Sequence, residues 1–240
     1  MILRGTPEDL VGVLELVNET KEPLLVRSLR LRDPKLPGLD SRGRRRLTLR
    51  QSVPAGGRRR VPVRFALDPA TPPGTYEVTF ADERSEHPAQ LEVLPQRRLG
   101  LLPDRLEVEA APGEVAKVPM VLTNRGNVPL ELSVLAVMVL EEDQQICLAL
   151  QNALAAARGK DYETFLNALT EDLAGKKVDF LRIRLAGSGL KLEVGATEMV
   201  GVELHVPRNA LPGRTYRSRA AVFGQSLFLM LRTRGAPAPR

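Results

Sequence analysis

The sequence predicts an all-β protein of two tandem antiparallel β-sandwiches, the second of which carries an inserted α-helical hairpin. Three observations support this fold class. Short runs of residues alternate apolar and polar side chains, as half-buried strands do. Proline and glycine, with 19 of each in 240 residues, separate these runs and suit many short strands joined by turns. The same pattern of strands and turns also occurs twice along the chain.

The repeat begins with two matching segments, "LVNETKEPLLVRSL" from Leu16 and "LTNRGNVPLELSV" from Leu122. Each segment reads as an apolar strand, a polar turn that contains Asn, a Pro-Leu step and a second apolar strand. Further along the chain, residues 61–65 match residues 200–204. Two copies of one sandwich in tandem explain this repetition.

The boundary between the two copies falls near "LPQRRLGLLPDRLEV", where prolines and arginines interrupt the alternation. We therefore predict a first sandwich over residues 1–97 and a second over residues 98–240.

A turn that contains Pro and Gly precedes a tyrosine late in each half, Tyr76 in the first and Tyr216 in the second. This element resembles one found in prokaryotic immunoglobulin-like modules, including the β-sandwich domains associated with bacterial glycosidases and adhesins. The resemblance implies two immunoglobulin-like sandwiches in which each tyrosine packs at a corner. We expect the tyrosine hydroxyls to bond to backbone groups. Because such modules bind different molecules through different loops, the resemblance carries over no functional residues.

The second half contains an insertion, at about residues 142–177, where the first half has only "RDPKLPGLDSRG". Apolar residues in the insertion recur at helical spacing and predict two helices. We expect Gly159 to end the first helix, Asp161 to cap the second and Gly175 to end it. One apolar stripe consists of Ile146, Leu150, Ala153, Leu154 and Ala157, and the other of Tyr162, Phe165, Leu166, Leu169 and Leu173.

Two interpretations of the hairpin remain open. In the first, both apolar stripes fold against the sandwich and close its side. An antiparallel hairpin can also bury apolar residues between its own two helices, which leaves no stripe free. Alternatively, one stripe stays free and docks a partner, in which case Tyr162, Phe165 and Leu169 are the candidate partner-binding residues.

The first half concentrates arginines in "RLTLRQSVPAGGRRRVPVRF", which we interpret as a hairpin about residues 55–57. Alternation places the apolar residues of these strands inward and the arginines outward. Because like charges on facing strands destabilise a sheet, we interpret this surface as one that meets an anionic partner. The candidate partner-binding arginines are Arg44, Arg45, Arg46, Arg50, Arg58, Arg59, Arg60 and Arg64.

At its equivalent outward positions the second half carries both basic and acidic side chains, namely Lys191, Glu193, Glu203 and His205. Most of the net charge of +6 also lies in the first half. An acidic protein surface, an anionic membrane and a nucleic-acid backbone are the conceivable counterparts. Scarce aromatics and the lack of a known nucleic-acid-binding motif disfavour nucleic acid. Arginine outnumbers lysine throughout the chain, so a simply solvated face is the other interpretation.

The sequence shows no pattern typical of catalysis. Neither His87 nor His205 lies near a Ser or Cys nucleophile in a recognised motif. One cysteine, Cys147, and two distant histidines cannot form a zinc site, and no glycine-rich loop carries the Lys-Ser/Thr pair of a nucleotide loop. We therefore expect no catalytic residues, no metal and no cofactor.

These observations favour a non-enzymatic accessory or scaffold subunit that binds an acidic protein partner within a larger assembly. With a single cysteine and a start, "MILRGTPEDLVGV", that lacks the apolar core of a secretory signal, we expect a cytoplasmic protein. One alternative is a peripheral protein that binds an anionic membrane through the arginine face. Another is a secreted surface- or carbohydrate-binding module, although such modules usually present exposed aromatic rings.

Overall fold

The computed structural model describes residues 1–32, 46–82, 85–142, 145–159, 161–175, 180–187 and 189–235. It confirms the predicted all-β class, with eighteen strands and two helices among these residues. The described residues form two compact units. The first unit comprises Met1–Arg98 and two short segments, Asn124–Leu130 and Glu193–Ala196, and the second comprises the rest of the chain.

The seven strands of the first unit form one sheet, in the order β4-β3-β6-β7-β1-β2-β5. Neighbouring strands are antiparallel, except that β1 and β7 are parallel. The strands are β1 (Ile2–Thr6), β2 (Asp9–Val17), β3 (Leu24–Leu31), β4 (Arg46–Val53), β5 (Arg58–Phe65), β6 (Gly74–Ala81) and β7 (Glu86–Val93).

The core of the first unit forms from the inward residues of these alternating strands. On β2, Leu10, Leu14 and Leu16 are buried, whereas the intervening side chains are exposed or half-buried. Phe65 of β5 and Phe80 of β6 meet edge to face, with ring centroids 5.1 Å apart. Burying each such side chain contributes about 2 kcal/mol, so the inward face fixes the register of every strand.

The predicted hairpin between β4 and β5 is wrong. These two strands lie at opposite ends of the sheet, because β4 pairs with β3 and β5 pairs with β2. A tight turn does connect them, with the Gly57 N–H donating to Pro54 O at 3.0 Å. Two alternating runs joined by a Gly-containing turn look the same in sequence whether they pair with each other or with other strands, and here the core favours the latter.

The second unit contains eleven strands in three sheets among the described residues. The sheets have the strand orders β12-β14-β16-β10-β8, β11-β15 and β13-β17-β18-β9. The strands are β8 (Leu99–Leu102), β9 (Arg105–Ala110), β10 (Val115–Asn124), β11 (Leu130–Leu132), β12 (Val134–Met138), β13 (Glu141–Glu142), β14 (Leu181–Leu185), β15 (Leu190–Leu192), β16 (Thr197–His205), β17 (Thr215–Val222) and β18 (Gln225–Thr233).

The predicted helical hairpin follows β13 and consists of α1 (Gln145–Ala156) and α2 (Tyr162–Gly175), which pack against each other. Asp161 caps α2 as predicted, since its Oδ1 accepts the Thr164 N–H at 2.9 Å. Gly159 follows α1 with φ of +75°, a left-handed conformation that suits glycine. Among the described residues, no helix has the length and apolar character needed to cross a bilayer.

The repeated sequence motif has a physical cause in one asparagine of each copy. Asn18 and Asn124 are both buried, and the side-chain amide of each donates to the carbonyl four residues later, Glu22 O at 2.8 Å and Val128 O at 2.9 Å. Each Oδ1 accepts the backbone N–H two residues later. The asparagine therefore holds the same turn twice, because its buried side chain satisfies backbone groups of the turn.

The two corner tyrosines also behave as expected, with their hydroxyls bonded to backbone groups. The Tyr76 hydroxyl donates to Pro72 O at 2.8 Å, and the Tyr216 hydroxyl accepts the Leu211 N–H at 2.8 Å. Tyr216 is fully buried and Tyr76 is half-buried. Burial raises the pKa of both phenols above the usual value.

Candidate interaction surfaces

The candidate arginines fall into two groups at opposite ends of the first unit's sheet. Arg58, Arg59, Arg60 and Arg64 are exposed on β5, whereas Arg46 and Arg50 are exposed on β4. Arg44 and Arg45 lie outside the described residues. The two strands do not pair with each other, but they remain close, because the Arg59 guanidinium donates to Ser52 O of β4 at 3.0 Å.

The β5 arginines border an apolar surface on the neighbouring strands. On β2, the outward residues Val11, Val13 and Val17 are exposed, and Val13 lies opposite the exposed Pro62 of β5. Ile2 of β1 is 59% exposed and, by the register of β1 with β2, lies on the other side of Val13. We call the surface formed by Ile2, Val11, Val13, Val17, Pro62, Arg58, Arg60 and Arg64 the valine–arginine face.

Charges flank the apolar centre of this face. Val11 lies opposite Arg64, Glu15 opposite Arg60, and Val17 opposite Arg58. The Arg64 guanidinium also lies 3.6 Å from the Asp9 carboxylate, in an exposed ion pair worth less than about 1 kcal/mol. Two of the three arginines, Arg58 and Arg64, therefore face valines across the strand pair, and valine offers no counter-charge.

A structural role also explains part of this arrangement. β5 is a terminal strand of the sheet, and such strands resist pairing with other chains when they carry charged residues and proline. Pro62 removes one backbone donor from β5, and the arginines repel a second basic strand. This role accounts for the charge of β5 but not for the exposed valines of β2 beside it.

On β4, the arginines sit in a different setting. Arg46 lies directly opposite Arg30 of β3, so two like charges face each other. Arg50 has φ of +51°, at an irregularity where the register of β3 and β4 shifts by one residue. A concavity of about 1260 Å³ borders β3 and includes Arg27, Arg30 and Arg32 in its lining. No exposed apolar stripe comparable to that of β2 lies on β4.

The helical hairpin also exposes apolar side chains. Leu154 is 63% and Tyr162 71% exposed, and Leu150 and Leu166 are exposed as well. We call these four residues the hairpin surface. They form one stripe on each helix, at spacings of four residues.

The other predicted hairpin residues are less accessible. Phe165 and Leu169 are half-buried, and the Phe165 ring stacks on that of Tyr162 with centroids 5.9 Å apart. Among the α1 side chains that the structure describes, which do not include that of Ile146, Ala149 and Ala153 are buried, so Leu150 and Leu154 of the predicted stripe point away from this buried side. Small buried residues let two helices approach closely while larger side chains remain outside.

The two helices of the hairpin carry three carboxylates, those of Glu163, Glu171 and Asp172, and no basic residue. In the sequence of the whole segment 145–177, four acidic residues are balanced by four basic ones. Glu163 and Glu171 are exposed on α2, and neither helix has a basic residue in its last turn. Asp161 caps α2, and Asp172 accepts a hydrogen bond from Asn152 at 3.5 Å.

Sequence reasoning missed the valine stripe of β2. The signal was present in "DLVGVLELV", where apolar residues occupy outward as well as inward positions. A strand that covers a core on one face and meets water on the other normally alternates apolar and polar residues.

Two further groups of residues bear on chemistry. Within the part of the chain that the structure describes, no three His, Cys, Asp or Glu side chains come together as a metal site. His87 Nε2 lies 3.0 Å from the Ser85 hydroxyl, and burial lowers the pKa of this histidine below its usual value although Asp82 opposes the shift. Cys147 is exposed on α1.

No protein-family model and no curated protein matches the sequence. Among solved structures, a protein of unknown function from Porphyromonas gingivalis W83 aligns over 96% of this chain and 95% of its own, with 13% identity and a TM-score of 0.25. The CupB2 chaperone of Pseudomonas aeruginosa aligns over 98% and 96%, with 8% identity and a TM-score of 0.25. A PapD-like domain of human CEP192 aligns over 60% and 89%, with 15% identity and a TM-score of 0.27.

Proposed function

We propose that this protein is a non-enzymatic accessory or scaffold subunit that binds an acidic surface of a protein partner through its valine–arginine face. The single cysteine suits a reducing compartment such as the cytoplasm, where we expect this binding to take place.

The observation that supports this proposal is an exposed apolar centre with arginines at its border. Interfaces between proteins commonly have an apolar core and a polar rim, and arginine is enriched among the residues that contribute most to binding. Ile2, Val13 and Pro62 would supply the apolar core, and Arg60 and Arg64 would select an acidic partner. Strand pairing holds all five residues in place before binding, which lowers the entropic cost of association.

An anionic membrane is the second candidate counterpart, and the structure offers less to support it. The exposed apolar residues of the face are aliphatic, and the face lacks the Trp or Phe that usually anchors a protein at a lipid surface. Binding to lipid would therefore depend on the arginines alone and would be weak at physiological salt.

The test is capture of partners by the tagged full-length protein from cells that express it naturally. We compare wild type with R60E/R64E, and with R27E/R30E, which makes the same charge change at exposed β3 positions outside the face. We expect a stoichiometric protein to bind wild type and R27E/R30E but not R60E/R64E. Equal capture by all three would contradict the proposal. Flotation of wild type with phosphatidylserine vesicles, together with failure to capture protein, would favour the membrane instead.

A further inference from the structure

The hairpin surface and the valine–arginine face have complementary chemistry. We propose that the hairpin of one copy of this chain binds the valine–arginine face of a second copy, so that the chains associate head to tail. This inference rests on the proposed function, because it uses the same face and names the partner that the face would bind.

Apolar complementarity is the first argument. Each surface exposes large aliphatic or aromatic side chains, Leu154 and Tyr162 on the hairpin and Ile2 and Val13 on the face. Exposed apolar patches of this kind in soluble proteins mark sites of interaction. An amphipathic helix that lays its apolar side on an apolar surface is a common mode of recognition.

Charge complementarity is the second argument. On α2 the hairpin exposes Glu163, next to Tyr162 in sequence, and Glu171, and the face exposes Arg60 and Arg64 beside its apolar residues. Opposite charges at the borders of two apolar patches steer association and fix its orientation. Two copies of the same face would instead oppose arginine to arginine, which disfavours a symmetric contact through that face.

The two surfaces are different parts of one chain, so the contact is heterologous. Each copy keeps one free hairpin and one free face after it binds a neighbour, and association continues until a ring closes or a fibre grows. This property distinguishes the proposed contact from a symmetric dimer and supplies its test.

The test uses two variants that each damage one surface with an introduced carboxylate. V13E damages the face, and L154E damages the hairpin; both residues are exposed, so neither change reaches the core. Sedimentation velocity of the full chain is measured from about 1 to about 300 μM, a range suited to weak self-association. We expect wild type to form species larger than dimers, and each variant alone to associate at least about tenfold more weakly.

The decisive sample is an equimolar mixture of V13E and L154E. The intact hairpin of V13E binds the intact face of L154E, and the remaining damaged surfaces both carry new carboxylates. We therefore expect a discrete dimer, which neither variant forms alone. Raising NaCl from about 50 to about 500 mM should weaken it, since the flanking charges are exposed.

Circular dichroism of both variants confirms their folding, and V11E and L150E replace them if either fails to fold. Wild type that stays monomeric throughout the range overturns this inference, as does self-association that V13E leaves unchanged. Capture of a different protein by the same face, in the experiment described under the proposed function, would then leave the proposed function standing without the self-association.

Discussion

The strand pairs β2–β5 and β10–β16 share one register but differ on their outer sides. Val11 lies opposite Arg64 in the first pair, and Lys117 lies opposite Glu203 at the matching position of the second. The Lys117 ammonium and the Glu203 carboxylate are 3.2 Å apart, so the second pair neutralises its own charges. In the first pair Arg64 lies opposite Val11, and its ion pair, at 3.6 Å, is with Asp9, two residues from Val11 on β2.

The same contrast recurs six residues further along β2 and β10. Thr123 and Thr197 are hydrogen-bonded through their hydroxyls at 3.0 Å, where the first pair places Val17 opposite Arg58. Cross-strand pairs of matched polarity stabilise a sheet by a few tenths of a kcal/mol each. At these two positions the second pair matches polarity across the strands and the first does not, although the second pair also exposes Val115 and Met199.

The position of each strand in its sheet completes the comparison. β5 ends its sheet and tolerates Pro62, whereas β16 lies inside its sheet and has Gly201 at the matching position. The Gly201 carbonyl accepts the N–H of Ala186 at 2.9 Å. The second pair has its proline on β10, where Pro119 lies opposite Gly201, so each pair contains one proline but on a different strand. The core therefore fixes the inward half of each strand and leaves the outward half free to diverge.

Among substitutions that compare the two copies, the largest loss of stability is expected at the repeated asparagine. Asn18→Ala should lower the free energy of unfolding by about 3 kcal/mol, because the amide also lies within hydrogen-bond distance of the buried Val53 O and of Pro54 O, and these hydrogen bonds would be lost. Asn124→Ala should cost about 2 kcal/mol for the same reason. Urea unfolding followed by circular dichroism measures both values.

Asn167→Ala, at an exposed position of α2, serves as the control and should change stability by less than about 0.5 kcal/mol. Effects of the two buried substitutions no larger than that of the control would show that the asparagines are not what holds the repeated turns.

The second prediction concerns a buried carboxylate in the second copy. The Glu142 side chain is 3% exposed, and its Oε1 lies 3.4 Å from the Arg214 guanidinium without a hydrogen bond. The first copy has Thr75 after the corner glycine, where the second has Arg214. Arg214→Ala should lower the free energy of unfolding by about 2 kcal/mol, less than for a fully buried pair because Arg214 is itself half exposed.

Thermal unfolding of Arg214→Ala is compared with that of the double variant Arg214→Ala/Glu142→Gln. The double variant should recover part of the loss, because glutamine leaves no uncompensated buried charge. Equal destabilisation of the two would indicate that Arg214 contributes through packing and not through the ion pair.

The sequence predicts the parts of the molecule that depend on local patterns. Alternation and repetition predict the all-β class, and the spacing of apolar residues predicts α1 and α2, with Asp161 as the cap of α2. These features are predictable because each depends on residues that are close together in the chain.

The pairing of β4 and β5 with other strands was not predictable from the same patterns. Strand partners depend on contacts between distant segments, such as Arg58 with Val17, which local alternation does not encode. For the same reason, the sequence did not show that the candidate arginines lie on two strands that do not pair with each other. It also did not show that the valines of β2 form a surface together with Pro62 of β5, because that requires the pairing of β2 with β5.

The smallest effect is expected at Glu114, which matches Glu8 in the first copy. Both carboxylates pair with an arginine, Arg234 and Arg98 respectively, but Glu114 also accepts the Ala111 N–H at 2.7 Å. That backbone hydrogen bond, with the Arg234 charge as a further cause, lowers the pKa of Glu114 below its usual value.

A carboxyl whose pKa is lowered by folding adds stability above its unfolded pKa of about 4.3, and that stability is lost as the pH falls through the folded pKa. Wild type should therefore lose more of its melting temperature than Glu114→Gln between about pH 5 and about pH 3. Glu8→Gln makes the same change of net charge at the matching turn and controls for it. A fall in melting temperature that is the same for wild type and Glu114→Gln would show that the Ala111 hydrogen bond does not distinguish the two copies in solution.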